Sequence, residues 1–321
     1  MNKILTYLLI FLLFTSSYAI AASDDILRLA LPDHDWALEM DFKNFELQDQ
    51  GFLPDFKGRK VQAKNAETGL IISAFLVPAE KPITAEEYRD MNFKGLENSP
   101  FKLSNIKKNR KGDKAFVEYL IKDYKEVKNM NQKNIYVYLI KDDVWIDVHL
   151  SKVDFKEEDK KIFNSFIDSI NLKDNFIPSS YDNFLFGSYF YNYQNYKKAA
   201  LYYKRALDQE KKKPALSDEL WTVLVDNLAI AYGISGDLSK SKETLEYGLS
   251  QKPQYPMFYY NLACMFAESD DLDSAIKNLS KAFEYKGNML KGESIPDPAK
   301  DLSFKKYLKD KRFMDFLAVI K

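Results

Sequence analysis

Pro256-Met257-Phe258-Tyr259-Tyr260-Asn261-Leu262-Ala263, with Phe266, Ala275, Leu279 and Ala282 following at helical spacing, decides how this 321-residue chain reads. The same pattern stands upstream as Val225, Leu228-Ala229, Tyr232, Ser241, Leu245 and Gly248, closed by Pro253. Ala229 and Ala263 are 34 residues apart. An earlier copy has Gly187, Phe190, Ala199, Tyr203 and Ala206. Gly187 and Ala229 are 42 residues apart, so eight extra residues fall near Gln209–Leu216, around Glu210-Lys211-Lys212-Lys213-Pro214. Apolar residues at three- and four-residue spacing predict helices, and a fixed return predicts a repeat array.

Each unit reads as two antiparallel helices that cannot bury their apolar stripes alone. Small residues let the axes approach closely: Gly187, Ala229 and Ala263 on the first helices, Ala199, Ala206, Ala275 and Ala282 on the second. Tyr203 and Phe266 fill the space between layers. Gly236-Asp237 and Asp270-Asp271 fall where the turn within a unit belongs, and Pro253 and Pro256 mark the turn between units. A stacked array leaves its last apolar face wet unless something caps it. Asp301-Leu302-Ser303-Phe304, Tyr307-Leu308, Lys309-Asp310-Lys311-Arg312-Phe313 and Phe316-Leu317 read as that cap, with Phe304, Leu308 and Phe313 expected to cover the third unit.

This pattern resembles the tetratricopeptide repeat (TPR), and the last stretch resembles the C-terminal cap of many bacterial TPR proteins. The resemblance implies three repeats over residues 181–286 and a cap over 287–321. It also implies a peptide-binding groove lined by the first helices: Tyr181, Phe184, Ser188 and Tyr191, then Val223, Asp226, Asn227 and Ile230, then Met257, Tyr260, Asn261 and Cys264. Asn227 and Asn261 take the position from which family members hydrogen-bond a peptide backbone. Lysine and arginine are absent from the set, which argues against a clamp on a peptide's terminal carboxylate. An aromatic, weakly acidic groove suits an extended apolar peptide or a helix. The same aromatics could instead pack against the rest of the chain.

Residues 22–172 lack the repeat and read as mixed α and β, so the fold class is α+β. Val61–Ala63, Leu70–Val77, Ala115–Ile121, Ile135–Ile140 and Val144–Leu150 read as strands, the last two joined by the short turn Lys141-Asp142-Asp143. Val144, Ile146, Val148 and Leu150 alternate with Trp145, Asp147 and His149, as in an antiparallel sheet with one buried face. Thr84-Ala85-Glu86-Glu87 is a capping box, and Ile162, Phe163, Phe166, Ile167 and Ile170 form one helical stripe after Asp154. With Leu31-Pro32-Asp33-His34-Asp35-Trp36 and the terminal Phe166-Ile167-Asp168-Ser169-Ile170, this order resembles the Mog1/PsbP-like α/β sandwich. That resemblance implies a protein-binding or accessory domain without catalytic machinery. Residues 173–180, with Pro178-Ser179-Ser180, read as a linker.

Residues 1–21 have the anatomy of a secretory signal peptide: Lys3, an apolar run from Ile4 to Phe14, then Ala19-Ile20-Ala21 before a start at Ala22. The run is far shorter than the roughly 20 residues a spanning helix needs, so no membrane span is expected after cleavage. A periplasmic or secreted protein with an envelope or secreted partner is the expectation, and abundant Lys, Asn, Tyr and Phe suggest an AT-rich bacterial genome. The 47 Lys+Arg balance 47 Asp+Glu, which gives no electrostatic case for nucleic acid.

Signatures of chemistry are sparse. The sequence has no G-x-S-x-G elbow, no phosphate loop and no H-E-x-x-H motif. One cysteine, Cys264, allows neither an internal disulfide nor a cysteine-based zinc site. His34 and His149 have carboxylates nearby in Asp33, Asp35 and Asp147. Asp147 and His149 share a strand face, so an acid–base or metal-dependent accessory role is the alternative to binding. A permanent structural subunit of an envelope complex is another. The sequence therefore predicts a binding protein with no cofactor and no enzyme activity, and a solvated loop at Lys211-Lys212-Lys213.

Overall fold

A computed structural model describes residues 25–53, 57–97, 101–123 and 129–320; the expected signal peptide and the start at Ala22 lie outside them. The chain divides into two compact units between Ile177 and Pro178.

The first unit holds two antiparallel sheets. Strands β1 (Ile26–Leu29), β2 (Trp36–Asp41) and β10 (Asn171–Asp174) form the smaller, in the order β1-β2-β10. The larger takes β3 (Phe45–Phe52), β4 (Arg59–Asn65), β5 (Ile71–Pro78), β6 (Leu103–Lys111), β7 (Lys114–Ile121), β8 (Gln132–Lys141) and β9 (Val144–Lys152), in the order β3-β4-β5-β9-β8-β7-β6. Helix α2 (Lys160–Ser169) carries Phe163, Phe166 and Ile167. These residues join Trp36, Leu38 and Met40 of the small sheet in one core with Ile72, Val137, Ile146 and Val148 of the large one. Lys173 and Asp174, inside the expected linker, pair with Ala37 and Trp36, so the sheet unit runs on past 172.

The alternation along β9 is present, but its second face is not simply solvated. Helix α1 (Ala85–Glu97), capped as expected by Thr84 and Glu87, lays Tyr88 and Phe93 over that face, where Trp145 and Tyr138 are buried. The β8–β9 turn is held from a distance. Trp36 Nε1 donates to Asp142 (2.9 Å), and a ring nitrogen of His34 meets Asp143 (2.9 Å). His34 is thus a fastening of the hairpin tip.

The second unit is a stack of helical hairpins: α3 (Ser180–Asn192) with α4 (Tyr196–Lys212), α5 (Asp218–Ile234) with α6 (Leu238–Gln251), and α7 (Pro256–Glu268) with α8 (Leu272–Glu284). Each second helix opens on an equivalent side-chain cap: Asn195 accepts from Lys198 N, Asp237 from Lys240 N and Asp271 from Ser274 N. The residue before each cap, Gln194, Gly236 or Asp270, takes positive φ, as a tight helix-to-helix turn requires. Most of the eight-residue insertion is helical, because α4 runs on past its counterparts and α5 starts early. Lys211 and Lys212 therefore end α4 instead of forming a loop. Buried Glu210 folds the turn by accepting from Ala215 N (3.0 Å) and Leu216 N (3.1 Å).

After α8 the chain runs irregularly through residues 289–301, makes a 3-10 turn over Leu302–Tyr307 and ends in α9 (Lys311–Ile320). Phe304 and Phe313 are fully buried against the third hairpin. Leu308, expected beside them, is 36% exposed, and Leu317, one helical turn beyond Phe313, is buried instead.

Candidate functional site

Helices α3, α5 and α7 carry the twelve expected groove residues, and these residues have different fates. In the third hairpin the surface is already occupied. Tyr260 is 2% exposed and its hydroxyl donates to Asp301 (2.8 Å), while its ring meets Phe304 edge-on. Cys264 is buried with its thiol against the same Asp301 carboxylate (3.8 Å), and burial raises the thiol well above its ordinary range. Met257 packs against the same cluster. Tyr260 and Cys264 are therefore not open to a peptide: the chain's own C-terminal segment lies on them. A hydroxyl and a thiol facing an apolar cap need an acceptor, and Asp301 supplies it.

Asparagine also behaves differently from the expectation. Asn261 Nδ2 donates to Asp226 (2.6 Å), and Asn227 Nδ2 reaches the Tyr203 hydroxyl (3.4 Å). Both amides are engaged by side chains of neighbouring helices of this chain. Burial pushes the Asp226 carboxyl up to about 7, with the charge of Glu293 adding to the effect. Glu293 lies in the irregular segment and accepts from Tyr255 (2.8 Å) and Leu290 N (3.2 Å); burial raises it too. Sequence reasoning missed Glu293 and read Asp301 only as the first residue of the cap pattern. Their only signal was two acids in a stretch otherwise read as cap.

The α3 and α5 part of the surface keeps its side chains accessible. Tyr181, Ser188, Tyr191, Val223 and Ile230 are half-buried, with Phe184 buried beneath them. Phe184 rests near Tyr203 (6.0 Å), whose hydroxyl donates to Ser188 (3.1 Å). Tyr191 meets Tyr196 edge-on (5.2 Å).

In the sheet unit, Asp147 and His149 lie on one face as expected. His149 Nε2 meets Asn134 (3.1 Å) and its ring stacks on Tyr136 at 4.1 Å. Burial lowers His149 to about 4 and raises Asp147 to about 7, so each leans toward its neutral form. Among the described residues no three His, Cys, Asp or Glu side chains are grouped to hold a metal, and no helix is long and apolar enough to cross a membrane.

The helical unit thus has TPR architecture, and the sheet unit resembles PsbP. The chain is similar to YrrB, a TPR protein with an unusual peptide-binding site, at 16% identity and a TM-score of 0.31, covering 41% of this chain and 61% of that one. It is similar to the Sgt2 TPR domain from Aspergillus fumigatus at 23% identity and 0.33, over 45% of this chain and 84% of that one. It is also similar to cyanobacterial PsbP (CyanoP) from Synechocystis sp. PCC 6803 at 12% identity and 0.32, over 46% and 92%. No protein-family model and no curated protein matches the sequence.

Proposed function

We propose that this protein is an exported interaction module whose α3/α5 surface holds a segment of an envelope or secreted protein, without a chemical step. The observation that carries the reading is internal. On α7 the repeat surface takes an irregular stretch of polypeptide, residues 289–301, fastened through Asp301 to Tyr260 and Cys264. The first helices of the other two hairpins, α5 and α3, carry Tyr181, Tyr191, Val223 and Ile230 at half-buried positions that no such segment among the described residues covers. Half-exposed aromatic and aliphatic side chains over a rigid helical frame offer apolar area to a partner at low ordering cost. Export rests on the signal-like residues 1–21.

Binding energy concentrates in a few anchors, so Tyr191→Ala and Val223→Glu should each weaken partner capture more than tenfold with unchanged thermal melts. The measurement is in-cell photocrosslinking from position 230 in each background, with position 319 on α9 as the control site. Equal crosslinking in the variants, or equal yield from position 319, would remove the α3/α5 surface from consideration.

A further inference from the structure

The second face of the large sheet carries an arrangement that the repeat surface does not explain. Strand register sets its rows. Phe75 of β5, Asp147 of β9 and Tyr138 of β8 lie side by side. The next row is Ser73, His149 and Tyr136. Tyr136 stacks parallel to Tyr138 (6.0 Å) and to His149 (4.1 Å), and Tyr88 of α1 closes over Tyr138 (5.2 Å) and Trp145 (5.0 Å). Phe75, Tyr136, Asp147 and His149 are half-buried, less covered than Tyr138 and Trp145 beneath α1. In the middle of the rings, Asp147 Oδ1 is buried with no hydrogen-bond partner. Trp145 Nε1, also without one, lies deeper, under Tyr88. Buried carboxylate oxygens are ordinarily satisfied, and leaving one bare among aromatic rings is unfavourable unless something supplies a donor.

We propose that this face is a binding site for a lysine side chain of a partner protein, its ammonium donating to Asp147 and its stem lying along Phe75, Tyr136 and Tyr138. Four features select that ligand. The bare atom is an acceptor, so the ligand must donate; a quaternary ammonium has no N–H. Oδ1 alone is buried and unsatisfied, a single point that suits a compact ammonium better than the two-pronged fork of a guanidinium. Ring faces attract a cation and accept its hydrocarbon stem. Asp147 is the one acid in these rows on β5, β9 and β8 and among their neighbours Val77, Ile140, Ser151 and Asn134; farther along, Lys60 of β4 is engaged with Asp49 of β3. A free diamine would leave its second charge uncompensated there.

The charged groups around the site give it a pH signature. Tyr88 from α1, Tyr119 from β7 and Tyr136 and Tyr138 from β8 are all raised by burial and stay neutral. His149 is neutral above about 4. Arg89 of α1 is engaged with Asp90 and the Asn109 carbonyl. Asp147, at about 7, is left to titrate between pH 6 and 8. Its charged fraction rises roughly tenfold across that range, and the affinity for an ammonium should rise by about the same factor.

The experiment is an NMR titration of the full chain, labelled at aspartate side-chain carbons, with Nα-acetyl-lysine methylamide. The expected result is a saturable shift of Asp147 at pH 8, with roughly tenfold weaker binding at pH 6. Asp147→Asn, read by aromatic shifts, should weaken binding at least tenfold, and Phe75→Ala should weaken it several-fold. The norleucine analogue should not bind. No saturable shift, equal binding by the norleucine analogue, retained binding in a folded Asp147→Asn protein, or tighter binding of putrescine would each overturn the assignment.

Discussion

Phe184 and Tyr260 occupy equivalent positions in the first and third hairpins, as do Ser188 and Cys264, yet the first pair leaves its surface accessible and the second is sealed. The origin lies one layer deeper. Where the second and third hairpins place Leu245 and Leu279 on their second helices, the first has Tyr203, and where they have Ala229 and Ala263 it has Gly187. The exchange is matched in volume: a Cβ on Gly187 would sit 2.4 Å from the Tyr203 ring. The phenol hydroxyl then satisfies Ser188 from inside the hairpin (3.1 Å). Leu279 has no such group, and the polar tips of Tyr260 and Cys264 find their acceptor in Asp301 of the following segment. In the first hairpin the polar partner comes from inside and the outer surface stays open; in the third it comes from the following segment, which covers that surface.

The strongest way to break this comparison is to loosen the cover. Phe313 is fully buried and stacks on Phe304 (5.5 Å). Cutting a buried phenylalanine to alanine costs about 3–5 kcal/mol. Phe313→Ala should unfold the helical unit at lower denaturant, followed by the helix signal at 222 nm, and should speed thiol labelling of Cys264. Leu308→Ala, at the exposed position, should change stability by only about 0.5 kcal/mol. Equal effects from the two would show that α9 does not hold the segment in place.

A sharper test exchanges the deeper pair. Gly187→Ala should destabilise by about 1–3 kcal/mol, because Tyr203 is fully buried and cannot move aside freely. The double variant Gly187→Ala, Tyr203→Leu gives the first hairpin the alanine–leucine pair of the other two. It should recover part of that loss while leaving Ser188 without the Tyr203 hydroxyl. A double-mutant cycle by denaturant melts measures the coupling, which should exceed about 1 kcal/mol. Additive effects would mean that the match of Gly187 to Tyr203 is coincidental.

These hairpins were legible in the sequence because their determinants are local and recur. Small residues at close helix crossings, Asp237 and Asp271 as helix caps, and the glycine or aspartate before them all sit at fixed spacing. The cover was only half legible. Phe304 and Phe313 announce themselves as apolar residues at helical spacing, but residues 289–301 have no period, and Glu293 and Asp301 act through hydrogen bonds to distant helices. In the sheet unit, strands with clean alternation were readable. The small sheet was not, because β2 and β10 pair across more than a hundred residues and β10 is four residues long. Alternation along β9 named the two faces correctly but could not say that α1 would cover Trp145. Which of the expected groove residues would stay accessible was not foreseeable from any one helix.

The smallest expected effect isolates the hydroxyl that distinguishes Tyr260 from Phe184. Tyr260→Phe removes the donor to Asp301 Oδ2 and leaves the ring in place. Asp301 keeps the bond from Ser303 N to its other oxygen (2.9 Å) and the weaker thiol contact of Cys264. Because Asp301 is only half-buried, water can reach part of the vacated carboxylate, so the loss should be about 1 kcal/mol and not the larger penalty of a stranded charge. So small a change barely moves a global melt, but it falls on the local equilibrium by which the segment leaves α7. A loss of 1.4 kcal/mol is tenfold in such an equilibrium, so Cys264 labelling under native conditions should speed about five- to tenfold. The reciprocal change, Phe184→Tyr, puts a hydroxyl on the open hairpin, where no segment waits to accept from it, and should leave Cys264 protection unchanged. If Tyr260→Phe also leaves protection unchanged, the cover is held by the apolar contacts of Phe304 and Phe313 alone, and polar satisfaction is not what separates the two hairpins.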